Sequence, residues 1–394
     1  MFERLNAPKQ DPILGLTLAI KADQRDHIID LGLGVYRNAV GDTPIMAAVK
    51  LAQQAQADTQ TTKSYIGLAG NETFNAAMID LLLVGTAAHS RAAGVQTPGA
   101  SGALRMLAEL IRTARPDATV WLSNPSYINH RPVMEAAGLS VAEYPYFDPK
   151  SKQVNEAAML DQIATLGKQD VLLLHGCCHN PTGADISLAT WQRIAELAEQ
   201  KGFLPFIDIA YQGFGDGLME DAAGLRLLAD RLPELLIATS CSKNFGLYRE
   251  RTGAAIIVGK NLEDSLKAKG RILEVARGSY SMPPDHGAAL VAAILGRDDL
   301  KTMWIDELTL MNKRINRLRS ALVSHFREAS GSNRFDYFGQ HRGMFSVTGL
   351  TSDQIDTLRI DHGIYMIGGG RVNVAGLKES DIPRLVDCFL AAGA

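Results

Sequence analysis

Between residues 170 and 240 the sequence alternates short apolar runs with amphipathic stretches, and this alternation leaves the chain few architectures. Asp170 to His175 is an apolar run bounded by turn signals, as expected of a buried strand. Asn180-Pro181-Thr182-Gly183 follows as a turn, because proline presets its backbone angle and glycine tolerates positive φ. Ser187 to Gln200 reads as a helix: Leu188, Trp191, Ile194 and Ala198 recur at helical spacing, and Gly202 supplies the stop. A strand at Phe203 to Ile209, a helix at Ala222 to Leu232 and a strand at Leu235 to Thr239 repeat the pattern. Such alternation implies right-handed crossovers and a largely parallel sheet. Ligands bind outside the carboxyl ends of such strands. Asn180 lies past the first strand, Asp208 and Tyr211 at or past the second, Ser240 and Lys243 past the third. Topology alone therefore predicts that these polar groups meet on one edge.

A chain of 394 residues is long enough for two domains. A long helix near Leu308 to Glu328 reads as the link. Short strands around Phe345 to Val347 and Arg371 to Val374, a helix between them, and a last helix near Asp381 to Leu390 read as a second, α+β unit. The first dozen residues, through Asp11-Pro12, read as an extended arm with little to bury alone and suited to lying on another subunit. The formal charge of -3 offers no basic balance for nucleic acid. Met1 to Pro8 lacks the apolar stretch of a secretory signal, and no run of about 18 apolar residues spans a bilayer. The four cysteines lack CxxC spacing, which argues against a structural zinc site, and their scarcity fits a reducing cytoplasm. No metal and no membrane or nucleic-acid partner is expected.

The converging residues suit one chemistry. A lysine amine is ordinarily protonated, with a pKa of about 10.4. Desolvation or a nearby cation frees it for Schiff-base formation. Lys243 follows an apolar strand beside Ser240 and Ser242, with Arg251 eight residues on. Most lysines are merely solvated surface groups; this one follows a buried strand. Asp208 ends an apolar strand, where a carboxylate is costly unless paired. A pyridinium nitrogen is such a partner, and the pairing keeps the ring an electron acceptor. A helix cap or structural ion pair is the plainer alternative for Asp208. Asn180 and Tyr211 suit a phenolic oxygen. Gly99, Ala100 and Ser101, after Pro98, open a helix with apolar Leu104, Leu107, Ala108 and Ile111, and the free N–H groups of such a start attract an anion. Ser240 and Arg251 add a hydroxyl and a guanidinium to the same phosphate. The loop is neither a Walker A loop nor a hydrolase elbow. Together these point to pyridoxal 5'-phosphate.

Six blocks in order carry a family resemblance: Ser-Tyr-Ile-Gly-Leu-Ala-Gly (64–70), Gly-Ala-Ser-Gly-Ala-Leu-Arg (99–105), His-Gly-Cys-Cys-His-Asn-Pro-Thr-Gly (175–183), Asp-Ile-Ala-Tyr-Gln-Gly-Phe (208–214), Ser-Lys-Asn-Phe-Gly-Leu-Tyr (242–248) and Gly-Arg-Val-Asn-Val-Ala-Gly (370–376). Over nearly its whole length the chain resembles the fold-type I aminotransferases, in the aspartate and aromatic amino-acid aminotransferase branch. The resemblance implies an α/β fold: a large domain (44–310) with a mostly parallel seven-stranded sheet between helices, a smaller α+β domain (14–43 and 311–394) and an arm (1–13). It implies that Lys243 holds the cofactor and shuttles a proton, and that Asp208 holds the pyridine nitrogen. Asn180 and Tyr211 would contact the phenolic oxygen, and Tyr127 would stack on the ring. Phosphate would be bound by Gly99, Ala100, Ser101, Ser240 and Arg251, with Tyr65 reaching it from the partner of a homodimer with shared sites. Arg371 would take the substrate α-carboxylate, helped by Gly34 and Asn180, with Phe345 beside the substrate.

Specificity rests on a few positions. Arg277, in Arg277-Gly278-Ser279-Tyr280-Ser281-Met282-Pro283-Pro284, matches the arginine that takes a dicarboxylate's side chain from across the dimer, so aspartate, glutamate and 2-oxoglutarate are expected substrates. Tyr127 stands where the family usually has tryptophan; it still stacks but leaves more room. Met282 stands where the aspartate enzymes often have asparagine, and methionine favours large apolar side chains. With Leu33 in Gly32-Leu33-Gly34, these favour a broad aromatic specificity through a ping-pong mechanism. A dedicated aspartate aminotransferase is the alternative. A lyase or decarboxylase on the same fold, and a cofactor-binding regulatory domain, are more distant ones.

Overall fold

The computed structural model describes residues 2–6 and 12–394. Residues 1 and 7–11, much of the expected arm, lie outside the described residues. Phe2–Arg4 forms a 3-10 turn, and Pro12 opens the helix Pro12–Ala22 rather than extending the arm. Proline suits a first helical position, where its missing N–H would be unpaired anyway.

Seven strands form the central sheet: β1 Ala92–Pro98, β2 Thr119–Asn124, β3 Ser140–Pro145, β4 Asp170–His175, β5 Leu204–Ile209, β6 Leu235–Ser240 and β7 Thr252–Val258. Their order across the sheet is β1-β7-β6-β5-β4-β2-β3. Of these, β7 alone runs against its neighbours. The central strands are apolar nearly throughout, as strands covered on both faces must be. Successive side chains point to opposite faces, which divides them between two cores. Leu172, Leu174, Ile207, Ile209 and Ile237 enter one. Val171, Leu173, Phe206, Leu236 and Ala238 enter the other.

The expected helices stand close to where the sequence puts them. Leu188–Lys201 is capped by Ser187, whose side chain accepts from the Thr190 N–H, and stops at Gly202 with φ 79. Its buried face is Trp191, Ile194, Ala195 and Ala198, whereas Leu188, expected on that face, is 52% exposed at the first position. The next helix, Ala223–Arg231, follows a 3-10 turn at Glu220–Ala222.

The long helix runs Asp298–Ser330, starting well before the expected Leu308. It passes from one core to another. Leu300, Trp304, Leu308, Met311 and Ile315 pack in the larger core. Leu318, Leu322 and Phe326 pack in a smaller one with Ile29, Leu31, Ile364, Val372 and Phe389. Around that smaller core, Phe345–Val347 pairs antiparallel with Arg371–Asn373, and Ile29–Asp30 pairs parallel with Ile364–Tyr365.

Trp304 ties this helix to the loop that follows β6. Its ring stacks on Phe245 with centroids 4.4 Å apart, and its Nε1 donates to the Asn244 carbonyl at 2.6 Å. Trp304→Ala is expected to cost ~3–5 kcal/mol of stability. A urea or thermal midpoint equal to that of the unaltered protein would contradict this packing.

Candidate active site

The sheet's carboxyl edge is where the site forms. β1, β4, β5 and β6 end there at Pro98, His175, Ile209 and Ser240, and β2 ends there at Asn124. Because β7 is reversed, it begins there, and so Arg251, just before it, reaches the same edge. Register sets the spacing: His175 lies opposite Asp208, Asp208 opposite Ala238, Ser240 opposite Gly253, and Pro98 opposite Thr252. A cavity of about 270 Å³ opens at this edge. Lys243, Asp208, Tyr211, Asn180, Tyr127, Ala100, Ser101, Ser240 and Arg251 all line it. So do Gly34, from the turn Leu33 to Val35, and Phe345 and Arg371, from the paired strands Phe345–Val347 and Arg371–Asn373.

Lys243 reaches into the cavity, its Nζ 4.6 Å from the centroid of the Tyr211 ring. Burial, reinforced by the nearby Arg251 and Arg371 and opposed by Asp208, brings its pKa down to about 8. Asp208 lies at the floor, 7% exposed. Burial works to raise its pKa, but the His130 hydrogen bond and the charge of Lys243 help hold it below the ordinary carboxylate value. That bond, His130 Nε2 to Asp208 Oδ2, spans 2.9 Å, and Ser126 Oγ holds the other ring nitrogen of His130 at 2.9 Å. Asp208 Oδ1 is buried and has no protein partner among the described residues. His175, 3.4 Å from Ser126 Oγ, is kept neutral by desolvation, which lowers its pKa to about 3.

An anion cradle lies beside the lysine. The helix Gly99–Ala114 begins at a left-handed glycine, φ 67 at Gly99. A Cβ there would sit 2.6 Å from Arg251 Nη2, so only glycine lets the guanidinium close on the helix start. Arg251 itself has φ 51, a conformation uncommon outside glycine and often found at functional sites. Its Nη1 donates to Ser242 Oγ at 3.3 Å and to the Tyr248 carbonyl at 3.2 Å.

Across the cavity, Arg371 is 8% exposed. Its Nη2 donates to the Gly32 carbonyl at 2.7 Å and its Nη1 to Asn180 Oδ1 at 3.5 Å, while its Nε has no protein partner among the described residues. The guanidinium carbon lies 4.4 Å from the Phe345 ring centroid. Arg319 fixes that phenylalanine: it is 1% exposed and donates to the carbonyls of Phe345 at 2.7 Å, Gly343 at 2.8 Å and Phe338 at 2.9 Å. Gly183, φ 72, packs so tightly under the Phe345 carbonyl that no side chain fits, which seats the Asn180 turn against it.

Gly99 opens the helix beside the cavity without lining it, and two further predicted residues stay outside altogether. Tyr65 is 90% exposed, and Arg277 is exposed with its Nη1 on Ser281 Oγ at 3.1 Å; neither lines the cavity, nor does Met282. Conversely, His130, His175, Ser242 and Tyr248 belong to the site but carried no role in the sequence reading. The Asn-Pro-Ser-Tyr-Ile-Asn-His run held the signal for His130, since β2 ends at Asn124 on the same edge. Cys177, Cys178 and Asp221 also cluster within 4.8 Å. Asp221, however, accepts from the N–H groups of Gly213, Gly215, Asp216 and Gly217 and so closes that loop.

These groups fit pyridoxal phosphate. The unpaired Asp208 Oδ1 suits a protonated ring nitrogen, the glycine-opened helix start with Arg251 suits a phosphate, and the depressed amine of Lys243 suits carbonyl chemistry. Known proteins agree. The family model described as aminotransferase class I and II matches residues 26–389. An aromatic-amino-acid aminotransferase of Paracoccus denitrificans is 45% identical over 393 residues, covering 100% of both chains. An aspartate aminotransferase of Salmonella typhi is 43% identical over 394 residues, covering 99% of this chain and 100% of that one. An aromatic-amino-acid aminotransferase structure from Burkholderia pseudomallei, covalently bound to pyridoxal phosphate, superposes with a TM-score of 0.97 at 37% identity, covering 100% and 99% of the two chains. The chain belongs to the class I and II aminotransferases and is a pyridoxal-phosphate-dependent enzyme.

Proposed function

We propose that this enzyme is an aromatic amino-acid aminotransferase of broad specificity. It moves the amino group of phenylalanine, tyrosine or tryptophan, and of aspartate or glutamate, to 2-oxoglutarate or another 2-oxo acid in two half-reactions at one site. The observation that carries this reading is Arg371, a cation with open donors set 4.4 Å from the Phe345 ring, in a cavity also lined by Tyr127 and Leu33. A carboxylate binds the fork, and an apolar side chain finds aromatic and aliphatic surface beside it.

When bound, pyridoxal phosphate supplies the carbonyl that accepts the amino group and the ring that delocalises a carbanion's electrons. The protein's share is binding, orientation and proton transfer. Arg251, Ser101, Ser240 and the helix start at Gly99 and Ala100 would hold the phosphate. Asp208, steadied by His130, would hold the ring nitrogen, and Asn180 and Tyr211 the phenolic oxygen. Tyr127 would lie on the ring. Lys243 takes the proton from the substrate α-carbon at Nζ, a role that an amine titrating near neutrality fills well. Arg371, with Asn180 and Gly34, orients the α-carboxylate, so that the bond to be broken faces Lys243.

The exposure of Tyr65 and Arg277 supports a homodimer in which each reaches the partner's cavity, Tyr65 toward phosphate and Arg277 toward a dicarboxylate side chain. We read residues 44–310 as the large domain and 14–43 with 311–394 as the small one, with 1–13 as an arm onto the partner. The four unpaired cysteines support a cytoplasmic location. The presence of Arg277 and the closeness of aspartate aminotransferases favour a second reading, a dedicated aspartate enzyme.

Steady-state turnover with 2-oxoglutarate as acceptor separates the two. Phenylalanine and tyrosine should give kcat/KM values at least comparable to aspartate; values lower by more than about a hundredfold would establish the aspartate enzyme. Lys243→Ala should lose multiple turnover, and a variant turning over at the unaltered rate would refute the assignment of Lys243.

Hybrid dimers test the shared site. Lys243→Ala and Arg277→Ala chains, each inactive alone with aspartate, should recover about a quarter of the activity when mixed, since one intact site forms in each hybrid and half the dimers are hybrids. No recovery would place Arg277 in its own subunit's site.

The amine also makes a pH prediction. The folded protein holds Lys243 at about 8, below its ordinary value of 10.5. Below pH 8 both folded and unfolded chains carry the charge, and the fold bears the full cost of burying it. Between pH 8 and 10.5 the folded chain has already released the proton and the unfolded chain has not, so stability rises with pH, by up to ~1.4 kcal/mol per unit. Cofactor-free protein should show this rise relative to Lys243→Met in urea unfolding. Parallel pH profiles for the two would refute it.

A further inference from the structure

The turn Leu33 to Val35 stands at the cavity mouth, and its shape is imposed largely from outside. Its own closure is one hydrogen bond, from the Val35 N–H to the Leu33 carbonyl at 3.0 Å. Asn373 supplies more. Its Nδ2 donates to the Leu33 carbonyl at 2.6 Å and to the Val35 carbonyl at 2.7 Å, and its backbone N–H donates to the Leu31 carbonyl at 2.8 Å. The residue is wholly buried, where such bonds are strong and their loss is costly. Only this amide orientation serves, because the flipped one would set Oδ1 against two carbonyl oxygens.

Asn373 is two residues past Arg371 on the same strand and pairs across to Phe345. One three-residue strand thus fixes the carboxylate receptor, the ring beside it and the turn that faces both. The turn rests on that ring: a Cβ on Gly34 would lie 3.1 Å from Phe345 Cζ. Leu33 is 39% exposed and lines the cavity, so its position depends on the backbone that carries it.

We propose that Asn373 is a positioning residue for specificity: by clamping the two carbonyls that flank Gly34, it holds Leu33 at the depth that suits a ring-bearing substrate side chain. This rests on the reading that Arg371 takes the α-carboxylate. Every amino-acid substrate presents that carboxylate, so its grip cancels when two amino acids are compared. The ratio that remains reports the side-chain contact, and Leu33 is the contact Asn373 governs.

The test compares kcat/KM for phenylalanine over aspartate in the holoenzyme, in Asn373→Asp, in Leu33→Ala and in the double variant. Asn373→Asp keeps the shape and replaces the clamping donor with oxygen. It should lower the ratio about tenfold, Leu33→Ala should lower it similarly, and the double variant should fall no further. The ratio does not depend on how much of a preparation is folded. Should Asn373→Asp not fold, Asn373→Ser, neutral and too short to reach both carbonyls, should lower the ratio in the same direction. If either Asn373 variant leaves the ratio within about twofold while Leu33→Ala lowers it, the clamp is refuted. A full Asn373 effect on top of Leu33→Ala refutes the route through Leu33. A ratio unmoved by Leu33→Ala overturns the pocket reading beneath the proposal.

Discussion

A carboxylate held at the end of a buried strand with one oxygen left unpaired is the constraint on which this site depends. Asp208 is surrounded by protein, where an ionised group is costly unless compensated. His130 compensates one oxygen at 2.9 Å, and the charge of Lys243 helps keep the group ionised. The other oxygen is buried with no protein partner among the described residues, and since Asp208 lines the cavity it suits a donor there, preferably a cationic one. The same charge works on Lys243 in reverse, moderating the fall in its pKa that burial causes. The two groups therefore titrate as neighbours, and the amine stays within reach of neutral pH.

The cavity draws on two parts of the chain. Lys243, Asp208, Ser240 and Arg251 sit on or beside adjacent strands of one sheet, where register leaves little freedom. Gly34 comes from the turn Leu33 to Val35, and Phe345 and Arg371 from the paired strands Phe345–Val347 and Arg371–Asn373, with the Phe345 side chain itself packed in the larger core. The helix Asp298–Ser330 spans both cores, and from it Trp304 grips the lysine loop while Arg319 grips the Phe345 strand. Relatives named for aromatic and for aspartate substrates match the chain over nearly its full length at similar identity, 45% and 43%.

Much of this was legible in the sequence where the signal is local. The strand Asp170–His175 and the strand Phe345–Val347 stand where apolar runs and turn residues put them, and the convergence of Asn180, Asp208, Tyr211, Ser240 and Lys243 followed from parallel topology. What escaped needs pairing information. The reversed direction of β7, which brings the expected Arg251 to the edge, has no local signal in Thr252–Val258. His130 and His175 act behind Asp208 through contacts between strands distant in sequence. Leu188 fits the helical spacing but falls at a helix start, where the first turn projects beyond the core. Tyr65 and Arg277 were assigned by resemblance, and one chain alone does not bring them to its own cavity.

Chemical trapping tests most directly whether Lys243 holds the cofactor. The holoenzyme would be reduced with borohydride, which converts a Schiff base to a stable secondary amine, then digested and mapped by mass spectrometry. The phosphopyridoxyl group is expected on Lys243, within the Ser242 to Tyr248 segment, and on no other lysine in stoichiometric amount. A group mapped to a different lysine, or spread over several, would contradict it.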